Sequence, residues 1–318
     1  MKLLYNKIFL SHDTGQHPEC IERLNSFNNL PDTPLDYRLE LVELVHSLEY
    51  INKVKEYSAV SRPLDGDTLT SPKSFETAVY GASAAVLAAE TGNFALSRPP
   101  GHHAYRNRGS GFCLFNNIAI AAQHLVNQGK KVFIFDFDGH YGDGTADIFY
   151  ESDQVLYCSI HQFPAFPGNG DKDEIGRGKG LGYTLNIPVP PQAGDDILLD
   201  AFKAILPIVK KFNPDVVGVS AGFDGHIYDP LLQLRYSLDG FHKIGKLLSS
   251  NFKQLFAILE GGYDTEILPK AIQNFIDGVN HKRPSHKEFH TDSEIMVWNT
   301  YELSLDELLT KIKSLWDI

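Results

Sequence analysis

Short apolar runs recur along the chain, each closing on a polar or glycine-rich corner and followed by a stretch with helical periodicity. Residues 94–97 run into RPPGHH, 131–135 into DFDGHYGDGT, and 155–160 into HQFPAFPGNG. Residues 216–220 run into AGFDGH and 256–259 into EGGYD. Helix candidates follow at 117–127, at 196–212 with Pro214 as its stop signal, at 238–252, at 265–279 and at 303–316. Residues 183–189 read as a further strand. This alternation is the sequence form of βα units, and no repeat or linker divides the chain. It predicts one α/β domain over residues 1–318, built on a central, mostly parallel sheet with helices on both faces.

In an open parallel sheet, ligands bind outside the carboxyl ends of the strands, where the βα corners lie. Every chemically suggestive cluster of this chain sits at such a corner. His102 and His103, then Asp136, Asp138, His140 and Asp143, then Asp224, then Tyr263 are distant in sequence, yet a sheet would gather them on one edge.

Composition narrows the function classes. The chain carries 29 basic against 40 acidic residues, net −11, and no dense basic run, which argues against direct nucleic-acid binding. Cys20, Cys113 and Cys158 form neither a disulfide framework nor a CxxC pair, so a reducing, cytoplasmic setting is expected. No apolar run is long enough to span a bilayer, and the first residues lack the features of an export signal.

Asp138 and His140 are two residues apart at a strand end, so an extended backbone would point both side chains the same way. Asp224, ending another apolar run, is the candidate third ligand. Two carboxylates and an imidazole suit Zn²⁺ with one coordination position open. Two carboxylates also cancel the dication's charge, so bound water is acidified less than at a three-histidine site and a general base is needed. The tandem His102-His103 can supply one, with Asp136 and Asp143 as carboxylates that fix imidazole tautomers. Tyr263 follows two glycines, Gly261 and Gly262, and offers a phenol to a developing oxyanion. Any one of these residues is more often structural: an aspartate ending a strand caps a helix, and a buried tyrosine or phenylalanine fills a core. Their joint placement at strand ends reverses that judgement.

At this point the chain resembles the histone deacetylase family, nearer its class II and prokaryotic amidohydrolase branches. The resemblance rests on RPPGHHA, GFCLFNN from Gly111, DFDGHYGDGT, SIHQF…FPGNGD, SAGFD…DPL and LEGGY, all in the family's order, from about His17 to the helix after Tyr263. It implies the arginase-deacetylase fold, with zinc on Asp138, His140 and Asp224 and Fe²⁺ as the alternative ion. His103 would be general base and acid, His102 its electrostatic neighbour, Asp136 and Asp143 their buried partners, and Tyr263 the carbonyl-polarising group. Gly111, Phe112, Phe166, Leu231 and Gly262 would line an acyl-lysine channel. A structural K⁺ or Na⁺ would lie near Asp136, Asp138, His140 and Ser159, with main-chain oxygens including that of Ile160.

The expected activity is hydrolysis of Nε-acyl-lysine in proteins or peptides. Leu231 stands where acetylpolyamine-selective relatives carry an acidic gatekeeper, which favours acyl-lysine over small acetylated amines. An acyl-lysine binding protein with little turnover is the reading from another class, opposed by the complete set of ligands, histidines and Tyr263. A two-metal hydrolase lacks enough further carboxylates at these corners. The glycine-rich 176–180 segment precedes a strand rather than a helix, so it is not a phosphate loop. His281, His286 and His290 read as a solvated loop before the last helix.

Overall fold

The computed structural model describes residues 1–316. Seven strands form one sheet: β1 (Leu3–Leu4), β2 (Phe94–Ala95), β3 (Val132–Asp136), β4 (Val155–Gln162), β5 (Thr184–Val189), β6 (Val216–Ala221) and β7 (Leu255–Leu259). Nine α-helices accompany them among the described residues: α1 (Leu39–Val42), α2 (Leu48–Ala59), α3 (Ser74–Thr91), α4 (Asn117–Asn127), α5 (Asp143–Phe149), α6 (Asp195–Phe212), α7 (Leu238–Asn251), α8 (Leu268–Val279) and α9 (Ile295–Trp316). The strand order is β1-β2-β7-β6-β3-β4-β5, and every pairing is parallel.

The strands read as continuous apolar runs because both faces of a parallel sheet are covered. Every residue of β3, VFIFD, and of β7, LFAIL, is buried. Local chemistry sets the helix ends. Asn116 caps α4 by accepting from Ala119 N at 3.0 Å, and the Ser237 hydroxyl caps α7 by accepting from the amides of Asp239 and Gly240. Asn213 closes α6 in the left-handed conformation, φ 53°, and Pro214 follows. No helix among the described residues is long and apolar enough to cross a membrane.

Several expected boundaries move. α6 starts at Asp195, α7 stops at Asn251, and α9 begins earlier than the apolar periodicity indicated, at Ile295. α8 starts at Leu268 rather than residue 265, because Asp264 Oδ1 accepts from the amides of Glu266 and Ile267 and holds a turn there. His290 is more constrained than a solvated loop would make it: its Nδ1 lies 3.2 Å from Asp195 Oδ2 and 3.4 Å from Asp239 Oδ2.

The sheet positions the site through its strand order. From β3 the chain steps outward through β4 and β5, then returns to β6 on the other side of β3 and continues to β7. That reversal between β3 and β6 is a topological switch point, and a crevice opens beyond the carboxyl ends of those two strands. The corner after β3 carries Asp138 and His140, and the corner after β6 carries Asp224.

Candidate active site

β3 ends at Asp136, so Asp138 and His140 do not continue an extended strand. They occupy a bend in which side-chain oxygens replace the ladder. Asp136 Oδ1 accepts from Asp138 N at 3.1 Å, and Asp138 Oδ1 accepts from His140 N at 2.9 Å. Asp138 and His140 nevertheless converge with Asp224, their potential ligand atoms all within 4.8 Å of one another, and all three residues are buried. His140 Nδ1 lies 2.7 Å from Asp224 Oδ2. Main-chain amides steer the carboxylates: Gly139 N donates to Asp224 Oδ1 and Gly261 N to Asp138 Oδ2, each at 2.7 Å. Gly261 must be glycine for this approach, since a β-carbon there would sit 2.7 Å from Asp138 Oδ2.

The donor set fits a divalent cation. Two carboxylates share this buried space with one imidazole. Burial alone would lower the His140 pKa, but Asp224 and then Asp138 outweigh it and hold the imidazole protonated up to about 10. A buried anionic cluster that retains a proton so strongly is one in which a dication can take the proton's place.

Beside the cluster stands the histidine pair, with ring centroids 4.0 Å apart. His102 Nδ1 lies 3.1 Å from Asp136 Oδ2, and His103 Nδ1 lies 2.8 Å from Asp143 Oδ1. Glu260 anchors the turn that carries them: its Oε2 accepts from Gly101 N at 2.7 Å and from His102 N at 3.1 Å. Burial and the neighbouring His102 hold the His103 pKa down to about 4, so that imidazole is neutral near pH 7. Burial pushes the Tyr263 phenol well above 10 and keeps it an O–H donor.

His103, His140 and Tyr263 border one cavity of about 200 Å³, with Gly111, Phe112, Phe166, Leu231 and Asp67 completing its lining. Phe112 meets Tyr263 edge to face at 5.6 Å between centroids, and Phe166 meets His103 at 5.0 Å. Phe166 is 46% exposed, which places it at a rim and not in the core. Gly262 lies behind the wall instead of in it: it is buried, and its carbonyl accepts from Arg23 Nε at 2.7 Å. Asp136 and Ser159 are register partners on β3 and β4, with Ile160 next along β4. Ser159 Oγ lies 2.9 Å from His161 Nδ1.

Some site residues were given no role by the sequence, Asp229 among them although it is the aspartate of the DPL motif. Asp67 comes from an irregular loop with neither period nor motif. Arg23 stacks over Tyr263, 5.0 Å from the ring centroid, and donates to Glu260 O at 2.6 Å and Glu19 Oε1 at 3.0 Å. Asp229 Oδ2 accepts from Tyr263 N at 2.6 Å, and its Oδ1 from Leu231 N at 3.1 Å. These supports join distant loops, which local patterning does not register.

A seven-stranded parallel α/β domain with a buried Asp-His-Asp cluster and two His-Asp pairs at its switch point defines a metal-dependent hydrolase. Residues 15–279 match the model of the histone deacetylase domain. A probable deacetylase of Archaeoglobus fulgidus is 36% identical over 292 residues, covering 83% of this chain and 81% of that protein. A histone deacetylase-like amidohydrolase of Pseudomonas aeruginosa is 36% identical over 285 residues, covering 80% of this chain and 74% of its own. The crystal structure of the HDA15 HD domain superposes with a TM-score of 0.88 at 30% identity, covering 99% of this chain and 96% of the other. The chain belongs to the histone deacetylase family and is one of its deacetylases or amidohydrolases.

Proposed function

We propose that the chain is a zinc-dependent deacetylase that cleaves the amide of Nε-acetyl-lysine or related acyl-lysines in proteins and peptides, giving lysine and a carboxylate. The observation that carries this reading is the single cavity bordered by His103, Tyr263 and the ligand His140 between two phenylalanines. Asp138, His140 and Asp224 would hold the ion, zinc suiting two carboxylates and an imidazole and Fe²⁺ being the alternative. The chemistry such an ion supplies when bound is Lewis acidity toward the carbonyl oxygen and toward water.

The remaining work falls to the chain. Asp143 takes the Nδ1 proton of His103 in a hydrogen bond, leaving Nε2 free to accept a proton from water and return it to the leaving amine. His102, paired with Asp136, contributes the neighbouring field. Tyr263 donates its O–H to the oxyanion as the carbonyl becomes tetrahedral. Gly111, Phe112, Phe166 and Leu231 enclose the aliphatic stem of the lysine and exclude water from it. Asp136, Asp138, His140, Ser159 and Ile160 would hold a structural K⁺ or Na⁺ beneath the site.

A second reading, a small acetylated amine such as an acetylpolyamine, gains from Asp67. This carboxylate lines the cavity and could attract a second ammonium even though Leu231 cannot. Comparing kcat/KM on an acetyl-lysine peptide and an acetylpolyamine, with Asp67→Asn alongside, separates the two readings.

The test of the main reading is deacetylation of an acetyl-lysine peptide by the zinc-loaded protein, with Tyr263→Phe and a chelated sample in parallel. Losing the oxyanion donor should lower kcat by about 10²- to 10³-fold, and chelation should abolish turnover. Wild-type turnover by Tyr263→Phe would remove the oxyanion role. Absence of activity on the peptide with rapid acetylpolyamine cleavage would select the second reading.

A further inference from the structure

We propose that Tyr105 is a positioning residue for the hydrolysis, fixing the Asp143 carboxylate so that its other oxygen holds His103, with Arg108 holding the phenol in turn. This deepens the reading of His103 as general base and rests on it.

Asp143 divides its two oxygens between two tasks. Oδ1 faces His103 Nδ1 at 2.8 Å and also accepts from Gly144 N at 3.0 Å, while Oδ2 accepts the Tyr105 O–H at 2.7 Å. An aspartate carboxyl rotates in a broad, two-fold torsional well, so partners on one oxygen alone fix its plane poorly. The phenol supplies the second point of attachment. Its position matters because Asp143, although buried, also borders two further cavities, of about 450 and 260 Å³, and Tyr105 lines both. Without the phenol, Oδ2 would face these spaces and water would compete for it.

Tyr105 is held for this task. Its amide donates to Arg108 O at 2.9 Å, closing a tight turn directly after the histidine pair. That turn lays the Arg108 guanidinium 3.9 Å from the centroid of the Tyr105 ring. Burial and the adjacent Asp143 push the phenol's ionisation well above its ordinary value, so it remains a donor wherever the enzyme works. An O–H donated to a carboxylate is among the stronger hydrogen bonds a side chain makes. A filler at this surface would have needed neither the hydroxyl nor the stacked cation.

The experiment is a double-mutant cycle on peptide deacetylation with the zinc-loaded full chain, measuring kcat, KM, melting temperature and bound metal. Tyr105→Phe is expected to lower kcat roughly tenfold, the scale of one hydrogen bond to a charged group. KM and metal content should stay at the wild-type values, and the melting temperature should fall only by the few degrees that one hydrogen bond accounts for. Arg108→Leu should show the same pattern with a smaller loss. In a His103→Ala background, assayed with enzyme in excess, Tyr105→Phe should cause no further loss, because the phenol acts only through the dyad. An unchanged kcat in Tyr105→Phe, an effect confined to KM, or an equal loss with and without His103 would each overturn the proposal. Wild-type turnover by His103→Ala would instead remove the base assignment itself, and this inference with it.

Discussion

Gly111 packs against the imidazole of His103 so closely that a β-carbon on it would lie 2.5 Å from His103 Cδ2 and 3.0 Å from Phe166 Cε1. Its φ of +52° is also one that side chains disfavour. Gly111→Ala therefore forces the candidate base off its bond to Asp143 or pushes back the channel wall. Misplacement of a reacting group by about 1 Å costs on the order of 10²-fold in rate. The expected outcome is a fall in kcat of that order with retained metal; wild-type kinetics would show that the ring and Gly111 are not held together in solution.

The gathering of distant residues onto one sheet edge was legible because βα corners of a parallel sheet must lie on one side, whatever the loops do. His103, Asp143, Asp224 and Tyr263 meet on that ground. The bend at Asp138 and His140 was not legible, because side-chain hydrogen bonds from Asp136 and Asp138 to the backbone end the strand where an apolar run alone gives no stop. α3 escaped for a different reason: Ala78, Val79, Ala82, Ala85 and Val86 are all buried, so much of its circumference is apolar and the polar face that marks a helical period is weak. β1, at two residues, is too short to show any period, whereas the equally short β2 falls inside the apolar run expected at residues 94–97. Asp67 belongs to an irregular loop and Tyr105 to a short turn, and the bond from Tyr105 to Asp143 is set by tertiary structure, which local patterning does not register.

Glu19 anchors a buried charge network away from the metal cluster. Its carboxylate takes the guanidinium groups of Arg98 and Arg23, and all three side chains are fully buried. Removing one partner of such a network strands the others, so Glu19→Gln should lower stability by about 3 to 5 kcal/mol. The pH dependence has a definite sign. Burial would raise this carboxyl, but Arg98 outweighs it and holds the pKa at about 2, below its ordinary 4.5. The native state binds fewer protons, so the contribution is complete above about pH 4.5 and is lost as the pH falls toward 2. Denaturant midpoints of wild type and Glu19→Gln should differ most at pH 7 and converge below pH 4.5; a gap independent of pH would place the effect in packing.

Divalent-ion removal should destabilise the chain as well as silence it. Asp138 and Asp224 are buried beside each other, and only ligand binding or protonation relieves their repulsion. An ion at a thousandfold excess over its Kd stabilises the native state by about 4 kcal/mol. Chelation should lower the melting temperature accordingly and release a single ion per chain. Asp224→Asn should bind less metal and melt at nearly the same temperature with and without chelator. A chelator-insensitive melting curve of wild type would argue that this cluster holds no ion.

The acid limb of the rate profile follows from the environment of His103. Burial is the larger cause of its lowered pKa and the neighbouring His102 the next, against which the bond to Asp143 works, leaving a value of about 4 where an ordinary histidine has 6.5. A dication at Asp138, His140 and Asp224 adds to the same direction, since it too disfavours a second positive charge nearby. A group that must be neutral to accept a proton is then competent well below pH 6.5. kcat/KM on the acetyl-lysine peptide should hold its plateau down to about pH 6, with the limb below it shifting upward when His102→Ala removes the neighbouring charge. A limb already centred at 6.5 in the wild type, unmoved by His102→Ala, would mean that His103 sits in a wetter and less crowded setting than its buried contacts imply.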